Sequence, residues 1–280
     1  MSYILLTISM LSMVLHNGVS NNVSKKFLKG KSDTMSYNAW MYLSCIILFG
    51  LGTIGSGISL YSVVLGAVFG AITMIAGYFR ARALSNGPMH ITVLLITASL
   101  IIPALSGVFM FGEEFSIQKL IAIFVLIFFI YVSLQKSDNM EIKKGWFLYS
   151  MLSFVFQGGI GVVQKIHQSS VHKDELFIFL TTSFVFSFIL SAINAGKEIK
   201  MEKPLYLFAG ISGLCTFIMN LFNLKLSGII PSQIFFPLVN GGSIILTSAV
   251  AVVFFKEKIT TRQAIGLVGG LVALVLICIL

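Results

Sequence analysis

Charge is scarce in this chain. Only 10% of its 280 residues are Asp, Glu, Lys or Arg, where a soluble domain carries roughly 25%. So few charges cannot cover a water-facing surface. Acidic residues are the rarer sign, ten against nineteen basic ones, and all ten lie between the long apolar runs or at their ends. No carboxylate is therefore expected at mid-membrane to relay protons. Cysteine is rare too. Cys45, Cys215 and Cys278 lie scattered within apolar runs, without CxxC spacing. That argues against a disulfide framework or a thiolate metal site, and the three read as small buried apolar residues. There is no GxxxxGK[ST] loop, no HExxH and no GxSxG elbow, so nothing points to ATP-driven work, a zinc peptidase or a serine hydrolase. No enzyme activity, metal or cofactor is expected. Loops are short as well, none above about 15 residues. A non-transporting accessory or sensor subunit, the rival reading, would be expected to carry a larger loop or tail for its partner.

What the chain has is apolar length. It is 57% hydrophobic, with a mean hydropathy of +0.97. A helical span needs about 20 mostly apolar residues to cross a hydrocarbon core of roughly 30 Å. Ten such runs are present: Ile4–Val23, Tyr37–Ile54, Leu60–Phe79, Met89–Met110, Ile117–Leu134, Trp146–Val163, Leu176–Ala195, Leu205–Leu224, Ile234–Phe254 and Ala264–Leu280. Segments such as Leu120–Val132 are apolar all round, and in lipid only a helix satisfies their backbone. The fold class expected is an all-α integral membrane protein of ten transmembrane helices, with the lipid bilayer as its solvent. The first run lacks the basic flank and cleavage site of a signal peptide and is kept as helix one.

The net charge of +9 does not form a nucleic-acid patch. All of the 19 basic residues except Lys119, Lys165, Lys173 and Lys225 fall in alternate loops, those joining helices 1–2, 3–4, 5–6, 7–8 and 9–10. By the positive-inside rule these loops are cytoplasmic and both termini lie outside.

The two halves repeat. Asn17-Gly18 followed by Lys25 is echoed by Gln157-Gly158 followed by Lys165, an offset of 140. Gly66-x-x-x-Gly70 matches Ala209-x-x-x-Gly213, and Arg82 before Pro88 matches Lys225 before Pro231, both offset by 143. Glu113 and Ser116 match Glu257 and Thr260, offset by 144. Residues 1–140 and 141–280 are thus read as two five-helix repeats. Five is odd, so the halves insert with opposite orientation, an arrangement used by transporters that rock around a midplane site.

On these residues the chain resembles the drug/metabolite transporter superfamily, of the ten-helix EamA type. The resemblance rests on the polar break His16–Asn22 before Lys25-Lys26, its echo in helix six, the two Glu-x-x-Ser/Thr signatures, and Gln263-Ala264-Ile265-Gly266. It implies passage of a small molecule across the cytoplasmic membrane, commonly export, by alternating access.

Candidate substrate-binding residues follow from the cost of burying polar groups in lipid, several kcal/mol for each unpaired amide. His16, Asn17, Ser20 and Asn21 form the densest polar stretch, and Asn17, Ser20 and Asn21 share a helix face. They read as a cavity wall, or as hydrogen-bonding ties to neighbouring helices. Gln157 sits among glycines, which suits either an irregular helix at a cavity or close packing. Asn220, Asn240 beside Gly241-Gly242, and His90 complete the set. Arg82 and Lys225 could snorkel to the interface or attract an anion. With no buried acid, any proton coupling would run through His16 or His90. The substrate class stays open between polar neutral or zwitterionic metabolites, amphipathic compounds, and a lipid-linked or phosphorylated compound that would lean on Arg82 and Lys225.

Overall fold

Apolar segments with no water to hydrate their backbone close their hydrogen bonds internally, and each of the ten runs carries an α-helix in the computed structural model. It describes residues 2–87, 92, 95–96, 98–114, 116–133, 143–196, 201–255 and 260–279, among which there is no strand. The helices are α1 Ser2–Lys26, α2 Lys31–Leu51, α3 Leu60–Asn86, α4 Ile101–Phe111, α5 Ile117–Ser133, α6 Trp146–Gln168, α7 Leu176–Ala195, α8 Lys203–Ser227, α9 Ser232–Phe255 and α10 Thr261–Ile279. Short 3₁₀ turns, Ala98–Leu100 and Lys173–Glu175, lead into α4 and α7. Among the described residues α1, α2, α3, α6, α7 and α8 are each long and apolar enough to cross a membrane.

The outer faces fit lipid. Ile4, Ile8, Leu11 and Leu15 on α1 are exposed, as are Phe124, Phe128 and Tyr131 on α5 and Val268, Leu271, Val272 and Val275 on α10. Each set recurs at helical spacing, so each is a continuous apolar stripe facing outward. In water such stripes would be costly; in hydrocarbon they are the solvated face.

Among the described residues the buried apolar side chains form three cores, two of them large and a smaller one around Val23, Tyr37 and Leu205. Of the two large cores, one joins Tyr42, Cys45 and Phe49 of α2 to Phe69 of α3 and to Phe179, Leu180 and Phe184 of α7. The other joins Leu100 and Ala104 to Ile123 and Leu126 of α5, Phe235, Phe236 and Val239 of α9, and Ala273 of α10. α3 packs against α6 and α7, and α8 against α1 and α2. α2 also meets α7, α5 meets α10, α4 meets both α6 and α9, and α1 meets α9.

Glycines set the closest approaches. A Cβ on Gly66 would lie 2.7 Å from the Phe179 carbonyl oxygen, and one on Gly70 would overlap the Ser183 carbonyl. Gly213 likewise faces the Met41 carbonyl, at 2.8 Å from an added Cβ. The glycine pair of α3 is the seam with α7, and its sequence counterpart on α8 is the seam with α2.

Several sequence expectations shift. α3 does not stop at Phe79 but continues to Asn86, so Arg80 and Arg82 are helical rather than in a loop. Arginine is a good helix former, and buried Ala81, Ala83 and Leu84 anchor the extra turns. His167, expected in a loop, lies in α6 and is fully buried, its ring stacked 4.2 Å from that of Phe179. Lys165, also expected in a loop, is helical and buried. Pro237 lies inside α9, where it removes the helical donor to the Gln233 carbonyl. Pro103 falls in the first turn of α4, after the 3₁₀ turn. α6 is unbroken through Gly158, Gly159 and Gly161. Those glycines serve packing: an added Cβ on Gly161 would lie 2.8 Å from Pro103 and 2.9 Å from Phe236.

Candidate functional site

Between the two large apolar cores lies a cavity of about 120 Å³, far above the roughly 10–15 Å³ that holds one water. Three helices line it with the same spacing. α3 contributes Thr73, Ala76, Gly77 and Arg80; α6 contributes Gln157, Ile160, Gly161 and Gln164; α8 contributes Thr216, Met219, Asn220 and Asn223. Each set is i, i+3, i+4, i+7, one face of a helix. α1 adds Met13 and His16, α2 adds Met41 and Tyr42, and α9 adds Phe235, Phe236, Val239 and Asn240.

The polar groups are held in a network. The Gln164 amide donates to Asn220 Oδ1 at 3.4 Å, and Asn220 Nδ2 donates to the Thr216 carbonyl at 2.9 Å. Thr216 Oγ1 also lies 3.4 Å from His16 Nδ1, while His16 Nε2 lies 3.3 Å from Ser20 Oγ. Asn223 Oδ1 accepts from Ser9 at 2.6 Å. Asn240 Nδ2 turns back onto the Phe236 carbonyl at 3.0 Å. Tyr42 donates to the Thr73 carbonyl at 3.3 Å, an approach that Gly77 permits, since a Cβ there would lie 2.9 Å from the phenol oxygen.

Of the residues singled out from sequence, His16, Gln157, Asn220 and Asn240 line the cavity. Asn17 and Ser20 stand behind the lining: Asn17 Oδ1 accepts a hydrogen bond from Arg80 Nη2, and Ser20 meets His16. Asn21 does not line the cavity, and its buried Oδ1 has no partner among the described residues. His90 lies outside the described residues, as does Glu257 of the second acidic signature.

Arg80, Gln164, Thr216 and Tyr42 were missed. A signal existed for two of them. Gln164 is seven residues after Gln157, on the same helix face, and Arg80 is seven after Thr73. Arg82, the arginine singled out from sequence, instead donates to the Lys29 carbonyl at 3.3 Å and lies over the Tyr149 ring. Lys225 is exposed.

Another part of the molecule is tied by a buried ion pair. Lys165 Nζ lies 2.7 Å from Glu113 Oε1 and donates to the Ser227 carbonyl at 3.1 Å. Glu113 in turn accepts from the Ser232 backbone N–H and hydroxyl, at 2.9 Å and 3.0 Å. α6 and the α4–α5 and α8–α9 connections are thereby fastened together. Among the described residues no group of three His, Cys, Asp or Glu side chains comes together to hold a metal ion.

No protein-family profile matches the chain, and no curated protein does. Among solved structures it is similar to a crystal structure of a protein at 12% sequence identity and a TM-score of 0.70. That likeness covers 98% of this chain and 95% of the other. At such identity it concerns the fold alone.

Proposed function

We propose that this protein is a secondary transporter that moves a small molecule across the cytoplasmic membrane by alternating access. The observation that carries the reading is the cavity: amides, hydroxyls, an imidazole and an arginine gathered between lipid-compatible helices of both halves. Polar groups in such a place are costly, and a static bundle does not need a void among them.

The inverted repeat belongs to the same proposal. Exchanging each helix for the one five places on turns α3–α6 into α8–α1, and α3–α7 into α8–α2. It turns α1–α9 into α6–α4 and maps α2–α7, α5–α10 and α4–α9 onto themselves. All of these are packing pairs in the fold. The cavity stripes of α3 and α8 are offset by 143, so Thr73 pairs with Thr216, Gly77 with Asn220 and Arg80 with Asn223. This is the offset that relates the two glycine seams.

Flux of a mixed metabolite pool in vesicles containing the purified protein, read by mass spectrometry against empty vesicles, tests the reading. Protein-dependent movement of one chemical class is expected. No flux of any compound, from protein shown to be folded, would overturn it.

A further inference from the structure

Resting on the transport reading, we infer that the cavity takes a small organic anion and that Arg80 binds its carboxylate. Among the described residues Arg80 is the one Lys or Arg that lines the cavity, and no Asp or Glu lines it. Among the described residues the ion pairs are Lys165 with Glu113 and His172 with Glu175; neither involves a cavity residue. A guanidinium offers five N–H donors. Here one nitrogen donates to the neutral Asn17 carbonyl oxygen, and the buried Nε has no partner among the described residues. Arg80 is half-buried, and a partly desolvated charge without a counter-charge is destabilising until one arrives.

What separates Arg80 from Arg82 is the direction of its side chain, into the cavity rather than onto the Lys29 carbonyl. It lies six residues before the end of α3, and its side chain lines the cavity with Thr73, Ala76 and Gly77 of the same helix face. A planar guanidinium matches a carboxylate through two parallel hydrogen bonds.

The surroundings specify more than charge. The position matching Arg80 on α8 is Asn223, so the second half supplies a neutral amide where the first supplies a cation. One cation suits a monoanion better than a phosphate, which carries about −1.5 to −2 at neutral pH. Gln157, Gln164 and Asn220 offer amides to hydroxyl or carbonyl groups on the remainder of the substrate. Met219, Phe235 and Phe236 offer apolar contact. The substrate is a compact monocarboxylate with a polar but uncharged body.

The test uses vesicles holding the full-length protein, loaded with the mixed metabolite pool and with matched acid–amide pairs. The pairs are gluconate with gluconamide and N-acetylalanine with N-acetylalaninamide, and inorganic phosphate is added. Protein-dependent release of the acids is expected to exceed that of their amides by about tenfold or more, the scale of one charged hydrogen-bonding partner. Arg80→Gln should bring each pair nearly level, while Arg80→Lys keeps a preference for the acids. A purely structural arginine would leave the acid-to-amide ratio unchanged in Arg80→Gln. That result, amides released as fast as acids, or phosphate released in preference to the carboxylates, would overturn the assignment. Flux confined to neutral metabolites would overturn it while leaving transport standing; no flux at all would remove both. Should Arg80→Gln fail to fold, the wild-type acid-to-amide ratio decides alone.

Discussion

Arg80 and Gln157 show how one side chain can matter for its charge and another for its reach. Gln157 lines the cavity from α6, and Asn220 faces it from α8 while holding Gln164. Gln157→Ala and Asn220→Ala should each lower the transport rate by about tenfold, as expected for loss of one strong polar contact. Protein abundance and elution profile should be unchanged. Asn17→Ala should also slow transport, because Arg80 loses the acceptor that orients it. Asn21→Ala, off the cavity, should transport at close to the wild-type rate. Vesicle flux assays of the four variants side by side check this ordering. The polar stretch of α1 was legible in the sequence because amides stand out in an apolar run. Arg80 was not, because two arginines close together end a hydropathy window even when the helix runs on. Only the seven-residue spacing from Thr73, a stripe that α6 and α8 repeat, would have placed it.

Helix pairs are set by small residues and by one buried charge pair. Gly70 is pressed against the Ser183 carbonyl, so Gly70→Val must part α3 from α7, at about 1–3 kcal/mol for overpacking. Gly210 on α8 has open space around it. Gly210→Ala should gain about 0.5–1 kcal/mol from helix propensity instead. Thermal melting of the two variants in the same detergent should move in opposite directions. Lys165→Met leaves the half-buried Glu113 without its cation and should cost stability, by less than the ~3–5 kcal/mol of a fully buried pair because Ser232 still donates to it. Adding Glu113→Gln should recover part of the lost melting temperature, since no bare charge then remains. The glycine seams were readable as GxxxG-type spacing, although the sequence could not say which helix each one meets. The ion pair was unreadable: Glu113 and Lys165 are 52 positions apart, and only the folded α4–α5 connection brings them together.

For the whole molecule, each of the ten apolar runs contains an α-helix among the described residues, and six of those helices are long and apolar enough to cross a membrane. Boundaries drifted where a charged or polar residue sits inside a helix, as at Arg80 and Lys165. Orientation is a separate matter, resting on the loop charges. A cysteine placed at Ser2 should react with an impermeant thiol reagent on intact cells if the termini are outside; labelling only after lysis would reverse the topology. The central claim is that the cavity is a passage rather than a filled void. Its most direct test is a single cysteine at Met219, on the cavity face of α8, in a background lacking Cys45, Cys215 and Cys278. The protein is held in vesicles of uniform orientation and probed with a small impermeant thiol reagent from each side. The account predicts modification from either side, with transported substrate slowing both. Modification from neither side, or from one side alone under every condition, would contradict it.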